Sequence, residues 1–134
     1  MADDDLTTGL VALLGLRIDE VTPDRATISW TVTPDLFQPQ GLLHGGVHCA
    51  VVETAASIAA AAWLGDRGTV VGVANQTDFF RAVTEGDLVA VATPLHRGRS
   101  QQLWQVEIRD DTERLVARGQ VRMQNLAPAP GAAT

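Results

Sequence analysis

The chain has 134 residues, enough for one domain with a hydrophobic core and too few for two. Its formal net charge of -6 and sequence pI of about 4.8 disfavour nucleic acid or an anionic membrane as the main partner. One cysteine, Cys49, excludes an intrachain disulfide framework, and the acidic start Met1–Asp5 is unlike a signal peptide. We therefore expect a cytoplasmic globular protein.

Charge is distributed unevenly along the chain. Residues 1–66 carry two Arg against nine acidic residues, whereas residues 67–134 carry eight Arg against seven, and there is no Lys. A polyanionic small ligand is therefore expected to bind the second half, where Arg97 and Arg99 lie close together. The alternative is that these arginines are scattered and solvated.

The periodicity of apolar residues changes along the chain. Helical spacing of the leucines from Leu6 to Leu14 predicts a short amphipathic helix, and strict alternation from Ala26 to Val32 predicts a strand with one wet face. From about Gly46 to Leu64 the chain is Ala-rich and apolar nearly all round, which predicts a buried helix that Gly65 ends. Strand patterns follow at Thr69–Arg81, Asp87–His96, Gln101–Arg109 and Arg114–Gln124.

This order of elements predicts an α+β fold in which one long antiparallel sheet wraps around a single buried helix. We expect one domain over residues 1–125, followed by a disordered Ala- and Pro-rich tail at residues 126–134. The apolar stretch Gly41–Gly65 is not expected to cross a membrane, because His44, His48 and Glu53 interrupt it.

The segment from Gln38 to Gly46 leads directly into the predicted helix. Glycines at a helix entrance leave backbone N–H groups uncovered, and the helix dipole adds partial positive charge there. These are the components of an oxyanion hole, which stabilises charge on a carbonyl oxygen under attack. Alternatively, Gly45 and Gly46 only allow a tight turn or a close helix–sheet contact.

Glu53 favours the catalytic interpretation. It lies in mid-helix among apolar residues, where we expect burial to raise its pKa and make it a better base. Ser57, four residues later, shares its helical face and can hold the carboxylate or a water molecule. The alternative places Glu53 on a narrow solvent-facing stripe.

The spacing of Gly45 and Glu53 has a consequence for the assembly. Eight residues separate them, or about 12 Å along a helix, which a Glu side chain cannot span. If both act on one carbonyl, they come from different subunits, which predicts a homodimer with two shared sites.

Other candidate residues carry weaker signals. The i,i+4 pair His44 and His48 has metal-ligand spacing, but no third ligand is evident, and no metal or cofactor is expected. Cys49 and the three tryptophans are assigned to packing. The segment His96-Arg97-Gly98-Arg99-Ser100 lies between two predicted strands and suits phosphate binding.

Taken together, these motifs resemble the hotdog-fold thioesterases, in the PaaI-like branch that hydrolyses aromatic acyl-CoA thioesters. The likeness covers nearly the whole chain and is greatest to the 1,4-dihydroxy-2-naphthoyl-CoA thioesterases of menaquinone synthesis. It is almost as great to the relatives that clear mischarged aryl thioesters from an enterobactin-type carrier protein. The matching positions are Gln38, His44, Gly45, Gly46, Glu53, Ser57, Val70-Val71-Gly72, Arg81, Pro94-Leu95-His96, Gln102 and Trp104.

The resemblance implies a sheet wrapped around one helix, sheet-to-sheet dimers and often a homotetramer. It implies that Gly45 polarises the thioester carbonyl, with Gln38 and His44 positioning the thioester. Glu53 of the facing subunit would be nucleophile or general base, with Ser57 orienting water or the acyl ring. The residues implied to bind substrate and CoA are Gly46, Val71, Gly72, His96, Arg97, Gly98, Arg99 and Ser100.

Two other functions use the same fold. An acyl-thioester dehydratase or hydratase needs a His and an acid to move a proton from carbon, and its usual His-Phe-Pro pattern is absent. An acyl-CoA-binding sensor needs the pocket without the carboxylate, so Glu53 argues against it. Hydrolysis of an acyl-CoA, with an aromatic acyl group, is the leading prediction.

Overall fold

A computed structural model describes residues 6–128 of the chain. Residues that alternate between apolar and polar form strands with one face on the core, as in the second strand, where Ala26, Ile28 and Trp30 are buried and their neighbours are not. The elements are α1 (Gly9–Leu13), β1 (Arg17–Thr22), β2 (Arg25–Thr31), a 3-10 turn (Pro34–Leu36), α2 (Gly45–Leu64), a second 3-10 turn (Gly65–Arg67), β3 (Thr69–Phe79), β4 (Asp87–Arg97), β5 (Gln101–Arg109) and β6 (Leu115–Leu126).

The strands form one sheet in the order β1-β2-β4-β5-β6-β3, with antiparallel pairing throughout. This confirms the predicted α+β architecture of one antiparallel sheet around one helix. Leu126, the first residue of the predicted tail, closes β6, and residues 129–134 of that tail lie outside the described part of the chain. Residues 1–5 of the predicted domain lie outside it as well.

Helix α2 is the central element, and it packs against all six strands. It begins one residue earlier than predicted, at Gly45, and ends at Leu64, followed by Gly65, whose positive φ of 60 favours glycine. By length and composition α2 could cross a membrane, but half of that stretch is buried inside the domain, where the helix packs against the sheet. It is therefore the core helix of the domain.

Strand β3 lies at one edge of the sheet and is the least covered of the long strands. Its 11 residues are almost all exposed, including Val71 at 44% and Val73 at 52% of their maximal surface. It pairs only with β6, so the outer row of its backbone N–H and C=O groups has no partner strand within residues 6–128. A long, apolar and unpaired edge is unusual for a monomer, because it invites pairing with another chain.

Candidate active site

The N-terminus of α2 is organised by His44. Its backbone is extended, and its Nδ1 accepts a hydrogen bond of 2.7 Å from the N–H of Gly46. A Cβ at Gly46 would lie 2.8 Å from that Nδ1, so the cap requires glycine there. The N–H of Gly45, the first helical residue, donates to no acceptor in residues 6–128. Gly45, rather than Gly46, therefore offers the free donor at the positive end of the helix.

Gly45 also lies against an aromatic ring. A Cβ at this position would come within 2.8 Å of Phe79 Cζ, so only glycine lets the ring approach the start of the helix. The two residues border a cavity of about 340 Å³, large enough for an aromatic acyl group. The cavity is lined by Gln38, Leu42, Leu43, Gly45, His48, Phe79, Phe80, Arg81 and Ala82.

Gln38 reaches this cavity from a tight turn. Its N–H donates to Leu42 O at 2.8 Å, its carbonyl accepts from Gly41 N–H at 3.0 Å, and its side-chain Oε1 accepts from Gln40 N–H. Because Oε1 is engaged, the side-chain NH₂ is the part of the amide left to donate to a ligand. The structure thus places Gln38 and Gly45 in the lining of one cavity.

His48 is a member of this cavity that sequence reasoning considered only as a metal ligand. It is 3% exposed. Its ring packs edge-on against Trp30, with 6.3 Å between the ring centroids, and at a tilt against Phe79, with 5.8 Å between the centroids. Its Nδ1 is buried without a hydrogen bond in the described chain, and burial lowers its pKa to about 4. His44 is exposed and engaged with Gly46, so the two imidazoles have separate environments.

Glu53 does not lie where its apolar neighbours in sequence suggested. The expectation of a buried carboxylate is wrong for the single chain, because Glu53 is exposed on a stripe of α2 that the sheet does not cover. Its Cδ lies 3.9 Å from the position of a Cβ added at Gly72, on the edge strand β3. Glu53 is absent from the lining of the cavity at Gly45. Ser57, one turn further on, is half-buried.

The edge strand is tied to this part of the helix by a polar contact. Asn75 Nδ2 donates to the carbonyl of Cys49 at 3.0 Å, and Asn75 Oδ1 accepts from Thr77 Oγ1 at 2.8 Å. Cys49 O belongs to the turn of α2 that leads to Glu53. The contact therefore fixes β3 beside the Glu53 stripe, and Val71 and Gly72 lie on the same strand.

A second cavity, of about 350 Å³, lies at the other end of α2. Its lining consists of Trp63, Leu64, Arg67, Gly98, Arg99, Ser100, Asn125, Leu126 and Ala127. Three of the five residues of the predicted phosphate-binding segment therefore face one cavity together. The other two, His96 and Arg97, do not line it.

Arginines and an indole surround this second cavity. Arg97 pairs with Asp24 at 2.7 Å and donates to Pro23 O at 2.8 Å, which fixes its guanidinium beside the cavity. Arg67 stacks over Trp63 with 4.4 Å between Cζ and the ring centroid. Trp63 was assigned to packing from the sequence. Its spacing on a helix gave no sign that its ring would lie beside the guanidinium groups of Arg67 and Arg97.

Comparison with known proteins identifies the family. The sequence model described as the Thioesterase superfamily matches residues 40–117, more than half of the chain. Rv1847 of Mycobacterium tuberculosis, which carries an esterase name, is 55% identical over 120 residues, covering 87% of this chain and 86% of the relative. The 1,4-dihydroxy-2-naphthoyl-CoA hydrolase of Listeria monocytogenes is 35% identical over 108 residues, covering 81% of this chain and 88% of the relative.

Solved structures agree with the family. The crystal structure of AziG from S. sahachiroi matches with a TM-score of 0.88 at 58% identity, covering 90% of this chain and 98% of that one. A structure described as a thioesterase of Haemophilus influenzae matches with a TM-score of 0.89 at 31% identity, covering 95% of this chain and 89% of that one. The chain therefore belongs to the thioesterase superfamily and is a hotdog-fold thioester hydrolase.

Proposed function

We propose that this enzyme hydrolyses an aromatic acyl-CoA, such as 1,4-dihydroxy-2-naphthoyl-CoA, to the free acid and CoA. The observation that carries the proposal is the unpaired N–H of Gly45, which opens onto the cavity at the positive end of α2. The rings of Phe79 and Phe80 in the cavity wall suit a planar acyl group. A relative that carries the name of this hydrolase adds support for the substrate class.

The thioester carbonyl would accept a hydrogen bond from Gly45 N–H, which stabilises the negative charge that grows on oxygen. The side-chain NH₂ of Gln38, which lines the same cavity, would donate to the thioester and hold it in place. His44 keeps the helix start open by binding Gly46 N–H, and its exposed ring would lie beside the leaving sulfur. Gly46 contributes by making room for that ring.

Glu53 of a second subunit would complete the site. It either attacks the carbonyl carbon itself or removes a proton from the water that attacks, and Ser57 orients that water or the acyl ring. The C–S bond then breaks, and CoA leaves as the thiol with a proton that comes from the attacking water. Where Glu53 attacks directly, the acyl group is first left on Glu53 as a mixed anhydride, and a water molecule then hydrolyses it to the free acid and restores the carboxylate. The open edge of β3 and the uncovered stripe of α2 are the surfaces that a partner would cover in a homodimer.

The CoA chain would run from the carbonyl along β3, past Val71 and Gly72, to the second cavity. There the nucleotide phosphates would meet Gly98, Arg99 and Ser100. Arg97, held by Asp24, would add positive charge nearby, and the ring of His96 lies against Gly98. Exposed apolar side chains such as Val89 and Leu95 would be available for pairing two dimers as a homotetramer.

The test is thiol release from a panel of aromatic and aliphatic acyl-CoAs. We expect Glu53→Gln to lower kcat by about 10²-fold or more, because the amide is neither a base nor a nucleophile. The exposed Glu85→Gln is the matched control and should retain wild-type rates. Equal rates in wild type and Glu53→Gln would remove Glu53 from the mechanism, and tight binding without release of any thiol would favour a sensor.

A further inference from the structure

Gln102 is a fully buried polar side chain in the core of the sheet. Its Nε2 donates to Ala60 O at 3.3 Å and to Asn125 Oδ1 at 2.8 Å, and its Oε1 accepts from Trp104 Nε1 at 2.8 Å. A buried amide lowers stability unless its donors and acceptors are satisfied, and here they are. The amide thereby links the last turns of α2 to the end of β6.

Asn125 continues this link to the loop between β4 and β5. Its N–H donates to Ser100 O at 2.9 Å, and its Nδ2 donates to Gly98 O at 3.0 Å and Arg99 O at 3.1 Å. One residue thus holds three consecutive carbonyls of the loop. Water could satisfy those carbonyls at a surface loop, so what Asn125 adds is a single fixed conformation.

In that conformation the loop has free backbone N–H groups, while its three backbone carbonyls are already occupied. The carbonyls of residues 98–100 are all engaged by Asn125, whereas the N–H groups of Arg99 and Ser100 donate to no acceptor in residues 6–128. Backbone N–H groups that are exposed together beside an Arg side chain form an anion-binding surface. This surface borders the second cavity, which Asn125 also lines.

We propose that Gln102 and Asn125 are positioning residues, which hold the Gly98–Ser100 loop in the form that binds the nucleotide phosphates of CoA. This inference rests on the proposed function. Because the loop is held before the ligand arrives, binding spends less free energy on ordering it. The network touches neither the cavity at Gly45 nor Glu53, so its effect is confined to the nucleotide end of the substrate.

The experiment compares two thioesters of the same acyl group, one of CoA and one of N-acetylcysteamine, which lacks the nucleotide. Asn125→Leu removes the side-chain donor to the carbonyls of Gly98 and Arg99 while keeping the number of side-chain heavy atoms, and it leaves the backbone N–H that donates to Ser100 O. We expect it to raise KM for the CoA thioester about tenfold with kcat little changed, and to leave kcat/KM for the short thioester at the wild-type value. Gln102→Leu should act in the same direction.

Gln124→Leu is the matched control, because Gln124 lies beside Asn125 on β6 and its side chain makes no hydrogen bond to residues 98–100. Its Oε1 accepts from Gln101 Nε2 at 3.2 Å, and its Nε2 donates to the carbonyl of Asn125 at 3.3 Å. It should keep wild-type kinetics with both substrates. Equal losses of kcat/KM on the two thioesters in Asn125→Leu and Gln102→Leu would show general structural support and overturn the inference. A wild-type enzyme without preference for the CoA thioester would instead contradict the nucleotide site of the proposed function, before any variant is measured.

Discussion

His48 shows how burial alone can set the charge state of a residue. Its imidazole packs between the rings of Trp30 and Phe79, and no carboxylate of residues 6–128 contacts it to stabilise the charged form. Desolvation lowers its pKa from 6.5 to about 4, so it is neutral in the native protein at pH 7. The cavity wall beside Gly45 is therefore uncharged at this position.

This burial makes the stability of the fold dependent on pH. Below pH 6.5 the unfolded chain binds a proton at His48, whereas the native chain does so only near pH 4, so stability falls as the pH is lowered between these values. The loss amounts to about 2 to 3 kcal/mol between pH 7 and 4.5. We expect His48→Leu to lack this loss, which urea unfolding at both pH values and fixed protein concentration would measure.

The control for this prediction is His96→Gln, since the imidazole of His96 is exposed. This variant should keep the wild-type dependence of unfolding free energy on pH. If the difference in unfolding free energy between wild type and His48→Leu were the same at pH 7 and 4.5, the native His48 would not be held neutral.

Among the elements, the hairpin between β5 and β6 depends on one carboxylate. Asp110 Oδ1 accepts three hydrogen bonds: from the backbone N–H of Thr112 at 3.0 Å, from the hydroxyl of Thr112 at 2.9 Å and from the backbone N–H of Arg114 at 2.9 Å. Asp110 Oδ2 accepts from Arg114 Nε at 2.8 Å. Desolvation raises the pKa of Asp110, but the hydrogen bonds from Arg114 and Thr112 lower it more, to about 2. The turn is therefore built on the ionised carboxylate.

We expect Asp110→Ala to lower the Tm at pH 7, because the turn loses all four acceptor contacts. A depressed carboxyl pKa stabilises the fold above the unfolded value near 3.8, and this contribution is lost as pH falls through about 2. The Tm difference between wild type and variant should therefore shrink at pH 2. Calorimetry would measure it, with the exposed Asp111→Ala as control, and a gap independent of pH would contradict the prediction.

How far the sequence predicts the elements depends on the strength of their apolar pattern. The long helix and β2 to β6 were predicted within a few residues, because each contains many apolar residues at regular spacing. Strand β1 was not predicted, since Arg17–Thr22 contains only Ile18 and Val21 as large apolar residues. Strand β1 is stabilised by its pairing with β2, and a local apolar pattern does not show this pairing.

For the candidate site, too, the sequence predicts the residues that lie close together in the chain and not those that depend on distant contacts. Gln38, His44 and Gly45 lie within one local segment, so their spacing could be read as a helix entrance. Asn125 could not be assigned a role, because it meets the Gly98–Ser100 loop only through the ladder between β5 and β6. For Glu53 the solvent-facing stripe was the alternative that was not preferred, because its position depends on where the sheet leaves α2 uncovered.

At the scale of the whole molecule, the separation of Gly45 and Glu53 on one helix predicts shared sites. Two variants that are each inactive should then restore activity when their chains are exchanged. Gly45→Val places a side chain against the ring of Phe79, and Glu53→Gln removes the carboxylate. A heterodimer of the two holds one intact site, so an equal mixture should reach about a quarter of wild-type activity.

The exchange is made by mild denaturation and refolding of the mixed chains, followed by thiol-release assay. The control mixes two variants of the same half-site, Glu53→Gln and Glu53→Ala, which should stay inactive in every combination. Failure of Gly45→Val and Glu53→Gln to restore activity, with subunit exchange shown by mass, would place both groups in one chain.

The position of β3 in the sheet also constrains how the chain is made. Within residues 6–128, β3 pairs with β6 alone, and β6 is the last of the described strands to leave the ribosome. By contrast, β1, β2, β4 and β5 can pair one after another as they emerge. Until about residue 126 has been synthesised, β3 therefore remains unpaired on both sides. Such a contact between distant segments slows folding and prolongs exposure of Val71 and Val73. A chain that stops after β5 would keep four neighbouring strands of the sheet, β1-β2-β4-β5, and leave β3 as an unpaired, aggregation-prone segment.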